Sequence, residues 1–137
     1  MNEIKGGCLC GNVRYETTQA PLMSAVCHCT HCQKQSGSAF STNVVVPAAG
    51  FNVTASTLAT FNDVGESGLS VKRHFCSHCG SPVYTELDAN PGVAVLKAGT
   101  LDDPSWVRPQ VHMWRCSAQP WVPVAEGTVC FEHNPEA

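Results

Sequence analysis

The sequence predicts an all-β fold of stacked antiparallel sheets, on three observations. Short runs rich in Val, Tyr, Phe and Thr recur along the chain, separated by Gly, Pro, Asn and Asp. Hydrophobic residues make up 43% of the 137 and charged residues only 14%, which is enough apolar material for a core. Two-cysteine turns followed by glycine lie where hairpin turns are expected, so metal ions can close the sheet ends that a small core leaves loose. The runs place strands at 12–17, 24–27, 41–46, 58–61, 71–75, 82–85, 93–98 and 111–115, with one short helix over 30–36. Many short strands at close spacing point to a sandwich or stacked sheets. One domain over 1–137 is expected, with its core at about 6–121 and a C-terminal tail over 122–137.

Nine cysteines is far above ordinary usage, and their odd number argues against a complete disulfide framework. The opening residues lack the apolar stretch of a signal peptide, and no apolar run is long enough to span a bilayer. A cytoplasmic location is therefore expected, where clustered thiols read as metal ligands. The formal charge is −3, and two Zn²⁺ ions held by four and by three thiolates would bring it to roughly −6. Neither value gives an electrostatic footprint for nucleic acid or an anionic membrane, so a small-molecule or protein partner is expected.

The cysteines fall into distinct groups. Cys76-Ser77-His78-Cys79-Gly80 is a C-x2-C-G turn, whose step sets two sulfurs at the separation of adjacent tetrahedral ligands. The glycine permits a positive φ that turns backbone amides toward sulfur. Cys8-Leu9-Cys10-Gly11 is its natural partner, and together Cys8, Cys10, Cys76 and Cys79 make one closed, structural four-thiolate zinc site. Buried apolar thiols are the alternative, but two closely paired sets each followed by glycine are hard to reach by chance.

The second group is Cys27-His28-Cys29-Thr30-His31-Cys32, a C-x-C-x2-C loop. Three thiolates from one loop can hold zinc and leave a fourth position open, as a catalytic site does. A histidine closing that position is the alternative. Neighbours of ligating residues usually point away from the metal, which disfavours His28 and His31 and leaves His112. Three sulfur donors make zinc a weak Lewis acid, so its useful act is to hold a substrate thiol deprotonated near neutral pH. That favours reversible carbon–sulfur chemistry over hydrolysis, and the H-x-E…P-C-x-x-C signature of zinc deaminases is absent.

At these residues the chain resembles the glutathione-dependent formaldehyde-activating family, also called centromere-protein-V-like, which has an Mss4-like fold. The matching segments are Gly6-Gly7-Cys8-Leu9-Cys10-Gly11-Asn12-Val13-Arg14-Tyr15, the three-cysteine loop through Gln33-Lys34-Gln35-Ser36-Gly37, and Arg73-His74-Phe75-Cys76-Ser77-His78-Cys79-Gly80-Ser81. The resemblance implies two zinc ions per chain, one structural on Cys8, Cys10, Cys76 and Cys79 and one catalytic on Cys27, Cys29 and Cys32. It also implies a lyase-type activity that joins a thiol such as glutathione to a small aldehyde. The segment from Pro109 to Trp121 is similar to the shorter family members.

Other residues carry secondary readings. Lys34, Lys72, Arg73 and Arg115 could meet substrate carboxylates, or be solvated surface charge. His112 could donate a proton or be a hydrogen-bonded core histidine. Ser36 and Ser38 could orient substrate or serve the turn. Trp106, Trp114 and Trp121 could line a pocket or pack in the core. Cys116 opens a competing reading as a thiol redox enzyme, Cys130 is expected in a loose tail, and a non-catalytic zinc module that binds a protein partner is a third class.

Overall fold

The computed structural model describes residues 3–135, so the outermost residues of the expected 1–137 span lie outside the described part. The fold is all-β, as expected, with eleven strands among the described residues and one α-helix. A small antiparallel sheet orders β1 (Ile4–Gly7), β2 (Val13–Thr17) and β5 (Asn52–Ala55) with β2 in the middle. The large sheet contains β3 (Met23–Cys27), β4 (Ser41–Pro47), β6 (Leu58–Val64), β7 (Ser70–Cys76) and β8 (Pro82–Leu87). It also contains β9 (Val93–Lys97), β10 (Val111–Met113) and β11 (Val129–Cys130), in the order β11-β10-β3-β4-β9-β8-β7-β6.

Five of its seven pairings are antiparallel, from β3 through to β6. The remaining two, β10 with β3 and β10 with β11, are parallel. Cys130, expected in a loose tail, lies in β11, opposite His112. Further on, the Phe131 and His133 carbonyls accept hydrogen bonds from the Arg115 and Trp114 amides. The strand expected over 111–115 ends at Met113 because Trp114 takes the left-handed region at φ 60, which breaks the ladder.

The two sheets stack on a core that follows strand alternation. Ile4, Val13 and Tyr15 of the small sheet face Val44, Val46, Tyr84, Ala94 and Leu96 of the large one, all buried. Phe51 bridges them, with ring centroids 5.7 Å from Tyr15 and 5.2 Å from Tyr84. Gly6 sits where β1 comes closest to its surroundings: a β-carbon there would overlap the Tyr15 hydroxyl and the Thr100 carbonyl. Gly6→Ala is therefore expected to cost about 1–3 kcal/mol, because backbone and a core tyrosine would both have to move. Urea denaturation measures it; an unchanged midpoint would show that the approach is not tight.

The helix α1 (Thr30–Ser36) matches its expected span. Cys29 caps its start, accepting a hydrogen bond from the Cys32 amide at 3.2 Å, and Gly37 ends it at φ 65. Ser36 Oγ donates to the Cys32 carbonyl at 2.6 Å, so this serine closes the turn.

Candidate functional site

The β1–β2 connection and the β7–β8 turn meet at one corner of the molecule. There the structure brings the sulfurs of Cys8, Cys10, Cys76 and Cys79 within 4.8 Å of one another. Gly11 and Gly80 both take positive φ, at 84 and 80, and the backbone folds back onto the sulfurs. The Val13 amide donates to Cys8 Sγ at 3.3 Å, and the amides of His78 and Cys79 both donate to Cys76 Sγ at 3.4 Å. Hydrogen bonds from the Ser81 hydroxyl and amide hold the Cys79 thiol down at about 5. Donors aimed at sulfur favour thiolates, and four convergent thiolates are a donor set that fits a tetrahedral metal ion. Cys76 is fully buried while Cys10, at the loop tip, is exposed.

The second cluster grows from the end of β3. Cys27 is its last residue, Cys29 caps α1 and Cys32 lies in the helix, and their sulfurs also lie within 4.8 Å of one another. Cys27 and Cys32 are buried and Cys29 is half-buried. Among the described residues no histidine nitrogen joins this group. Hydrogen bonding among the sulfurs pushes Cys27 up and Cys32 far down, the latter helped by the Lys97 and Arg73 cations. Without a cation among them the three thiols share their charge unequally; a dication lets all three ionise, so this donor set also fits a metal.

His28 is fully buried, and its Nε2 lies 2.8 Å from His112 Nδ1. His112 stands opposite Val26 in the β3–β10 register, one residue out of step with Cys27, which puts it on the other face of the sheet. That pairing supports the core reading of His112. The Gln33 amide nitrogen donates to the His28 and Ser117 carbonyls at 2.8 and 3.0 Å, which ties α1 to the chain after β10.

Beside the second cluster lies a set of polar groups that sequence reasoning mostly missed. Register places Cys27 opposite Ser41, Asn43 opposite Lys97, and Thr85 between Val95 and Arg73, so all these residues share one face of the large sheet. Lys97 and Arg73 are each only 7% exposed. Lys97 Nζ donates to Ser41 Oγ at 2.7 Å, and Ser41 donates onward to Asn43 Oδ1 at 2.7 Å. Burial pulls the Lys97 ammonium below its ordinary value, against the upward pull of charge on Cys32. Arg73 Nε donates to Asp63 Oδ2 at 2.9 Å, and the same oxygen lies 2.7 Å from His31 Nδ1 on α1. Thr85, 4% exposed, has a hydroxyl without a hydrogen-bond partner among the described residues. The sequence held one signal for Lys97, a charged residue ending the apolar run Val93-Ala94-Val95-Leu96.

The remaining candidates sit apart from this face. Lys34 and Lys72 are exposed. Trp106 packs against the core, whereas Trp121 is 71% exposed. Cys116 is exposed and belongs to neither sulfur cluster.

Stacked antiparallel sheets carrying two thiol clusters, one of four and one of three, define a small all-β protein with two sites that could hold metal ions. The chain belongs to the glutathione-dependent formaldehyde-activating enzyme family, whose model matches residues 3–117. Three fungal relatives carry the description "Putative glutathione-dependent formaldehyde-activating enzyme". The one from Penicillium rubens is 31% identical over 111 residues, 75% of this chain and 56% of its own. That from Fusarium vanettenii is 26% identical over 75% of this chain and 57% of its own. That from Sordaria macrospora is 31% identical over 57% of this chain and 32% of its own. The chain thus spans about half the length of the curated relatives it matches, or less. A crystal structure of a Rhodobacter sphaeroides protein superposes with a TM-score of 0.60 at 20% identity, covering 93% of this chain and 98% of that one, a likeness of fold.

Proposed function

We propose that this chain is a zinc-dependent carbon–sulfur lyase-type enzyme of the cytoplasm. It forms or cleaves an S-hydroxymethyl-type adduct between a thiol such as glutathione and a small aldehyde. The observation that carries this reading is a three-sulfur cluster, Cys27, Cys29 and Cys32, that no described histidine nitrogen joins. Zinc bound there would keep one position for a substrate thiol and hold that thiol deprotonated near neutral pH. The four-sulfur cluster of Cys8, Cys10, Cys76 and Cys79 serves as the structural zinc site: four thiolates would close all four positions of a tetrahedral ion, and backbone amides donate to Cys8 and Cys76.

The chain's own residues set the conditions for the reaction. Lys97 and Arg73 put positive charge beside the sulfurs, which favours ionised thiols over neutral ones. Asp63 holds Arg73 and His31 together and so fixes α1, with Cys32, against the sheet. A substrate thiolate adds to the carbonyl carbon, a carbon–sulfur bond forms, and the carbonyl oxygen takes up a proton to give the hemithioacetal; the reverse releases thiol and aldehyde. The family match over residues 3–117 and the description borne by the fungal relatives support the same chemistry.

Metal content and zinc-edge X-ray absorption test this reading. Two zinc ions per chain are expected, and excess glutathione should raise the mean sulfur number per zinc from about 3.5 to about 4. A spectrum indifferent to glutathione would count decisively against the lyase and favour a non-catalytic zinc module.

A further inference from the structure

Charge bookkeeping on the polar face of the large sheet identifies one residue whose partner is missing. Arg73 also lies against Cys32, but its charge is matched by Asp63, which in addition receives His31. Lys97 is as deeply buried as Arg73, but its one hydrogen bond goes to the neutral Ser41 hydroxyl, and among the described residues it forms no ion pair with a carboxylate. A buried ammonium persists only where a countercharge is near. Ser41, which accepts the Lys97 bond, stands directly opposite Cys27 in the β3–β4 register, so the neighbouring group able to supply countercharge on this face is the sulfur cluster.

Three thiolates and a dication sum to one negative charge, which one ammonium cancels. We infer that Lys97 is the positioning residue that brings the three-sulfur site to neutrality, so that the fourth group it accepts is an anionic sulfur rather than a neutral donor. With Lys97 present, a thiolate takes the buried site from neutral to −1; without it, the same thiolate takes the site from −1 to −2, which low-dielectric surroundings resist far more strongly. Thr85 is the second observation pointing the same way. Among the described residues its buried hydroxyl has no partner, and register sets it on this face, directly opposite Arg73 and diagonal to Lys97. It is an unused hydrogen-bond donor on a face already arranged for negative charge.

This inference rests on the reading of the three-cysteine cluster as a metal site with a vacant position, and the test separates the two. Protein loaded with Co²⁺ in place of zinc reports sulfur ligation through its thiolate-to-cobalt absorption. It is titrated at one near-neutral pH with 2-mercaptoethanol, and separately with imidazole as the neutral donor. Lys97→Met is expected to raise the apparent Kd for 2-mercaptoethanol about tenfold or more and to leave that for imidazole within about threefold. Lys97→Arg, which keeps the charge, should restore thiol binding toward the wild-type value. If Lys97→Met does not give folded protein with two metals, Lys97→Gln, which keeps a donor toward Ser41, carries the same comparison. Equal thiol affinity in the neutral variants and wild type would overturn the role of Lys97 while leaving the lyase reading intact. Absence of thiol binding by the wild-type protein would remove the reading and the inference together.

Discussion

Cys76→Ala is expected to abolish cooperative folding and to release the metal of the four-sulfur cluster. Cys76 is fully buried, and besides the neighbouring Cys10 sulfur at 3.7 Å its sulfur meets the amides of His78 and Cys79 and the Thr57 hydroxyl at 3.1 Å. More important is what the cluster joins. Cys8 and Cys10 belong to the β1–β2 connection, Cys76 ends β7 and Cys79 lies in the turn to β8, so the four sulfurs fasten the small sheet to the large one. Structural zinc sites of this kind contribute about 10–16 kcal/mol in apparent binding energy, and a whole domain is stable by only about 5–15 kcal/mol. Thermal melts followed by circular dichroism, with metal content measured on the same samples, check this. A variant that melts cooperatively near the wild-type temperature and keeps two metals would contradict the structural assignment.

Cys29→Ala is expected to behave differently: one metal lost, the fold kept, and thiol-dependent consumption of aldehyde reduced at least about 100-fold. The residue has two jobs. As the cap of α1 its sulfur accepts the Cys32 amide, and losing that contact costs about 0.5–2 kcal/mol, which a folded domain tolerates. As one of only three sulfurs in its cluster it has no substitute, since His28 is engaged with His112 and His31 with Asp63. Metal analysis, a melt and a rate measured by NMR on the aldehyde separate the two jobs. Retention of both metals with full turnover would remove the second cluster from the chemistry.

Much of the fold was legible because its signals are local. The helix over Thr30–Ser36 is legible at its observed span, although the residue that caps it is Cys29, and the expected strands follow runs of β-branched and aromatic residues. What escaped was set by distant neighbours. β1 contains Gly6-Gly7, which reads as a turn; glycine is there because Tyr15 and Thr100 crowd it. β5 is a short, largely exposed edge, and β11 is a two-residue strand paired with β10. The parallel pairing of β10 depends on chain far away in sequence. The same division holds at the candidate site. The cysteines announce themselves by spacing, whereas Lys97 and Thr85 share a face with Cys27 only through the register of four strands.

Along β4, neighbours have opposite fates. Val44 and Val46 point into the apolar layer, whereas Ser41 and Asn43 point toward the charged side with Lys97. One step along the backbone passes from what holds the molecule together to what would do its chemistry. A slip of β4 by a single position against β9 would therefore do more than weaken packing: it would carry hydroxyl and amide into oil and present valine to the ammonium, exchanging the two sides at once. On the proposed function, reactivity is tied to strand alignment, and any partly folded form with shifted pairing is expected to be inert even with every cysteine in place.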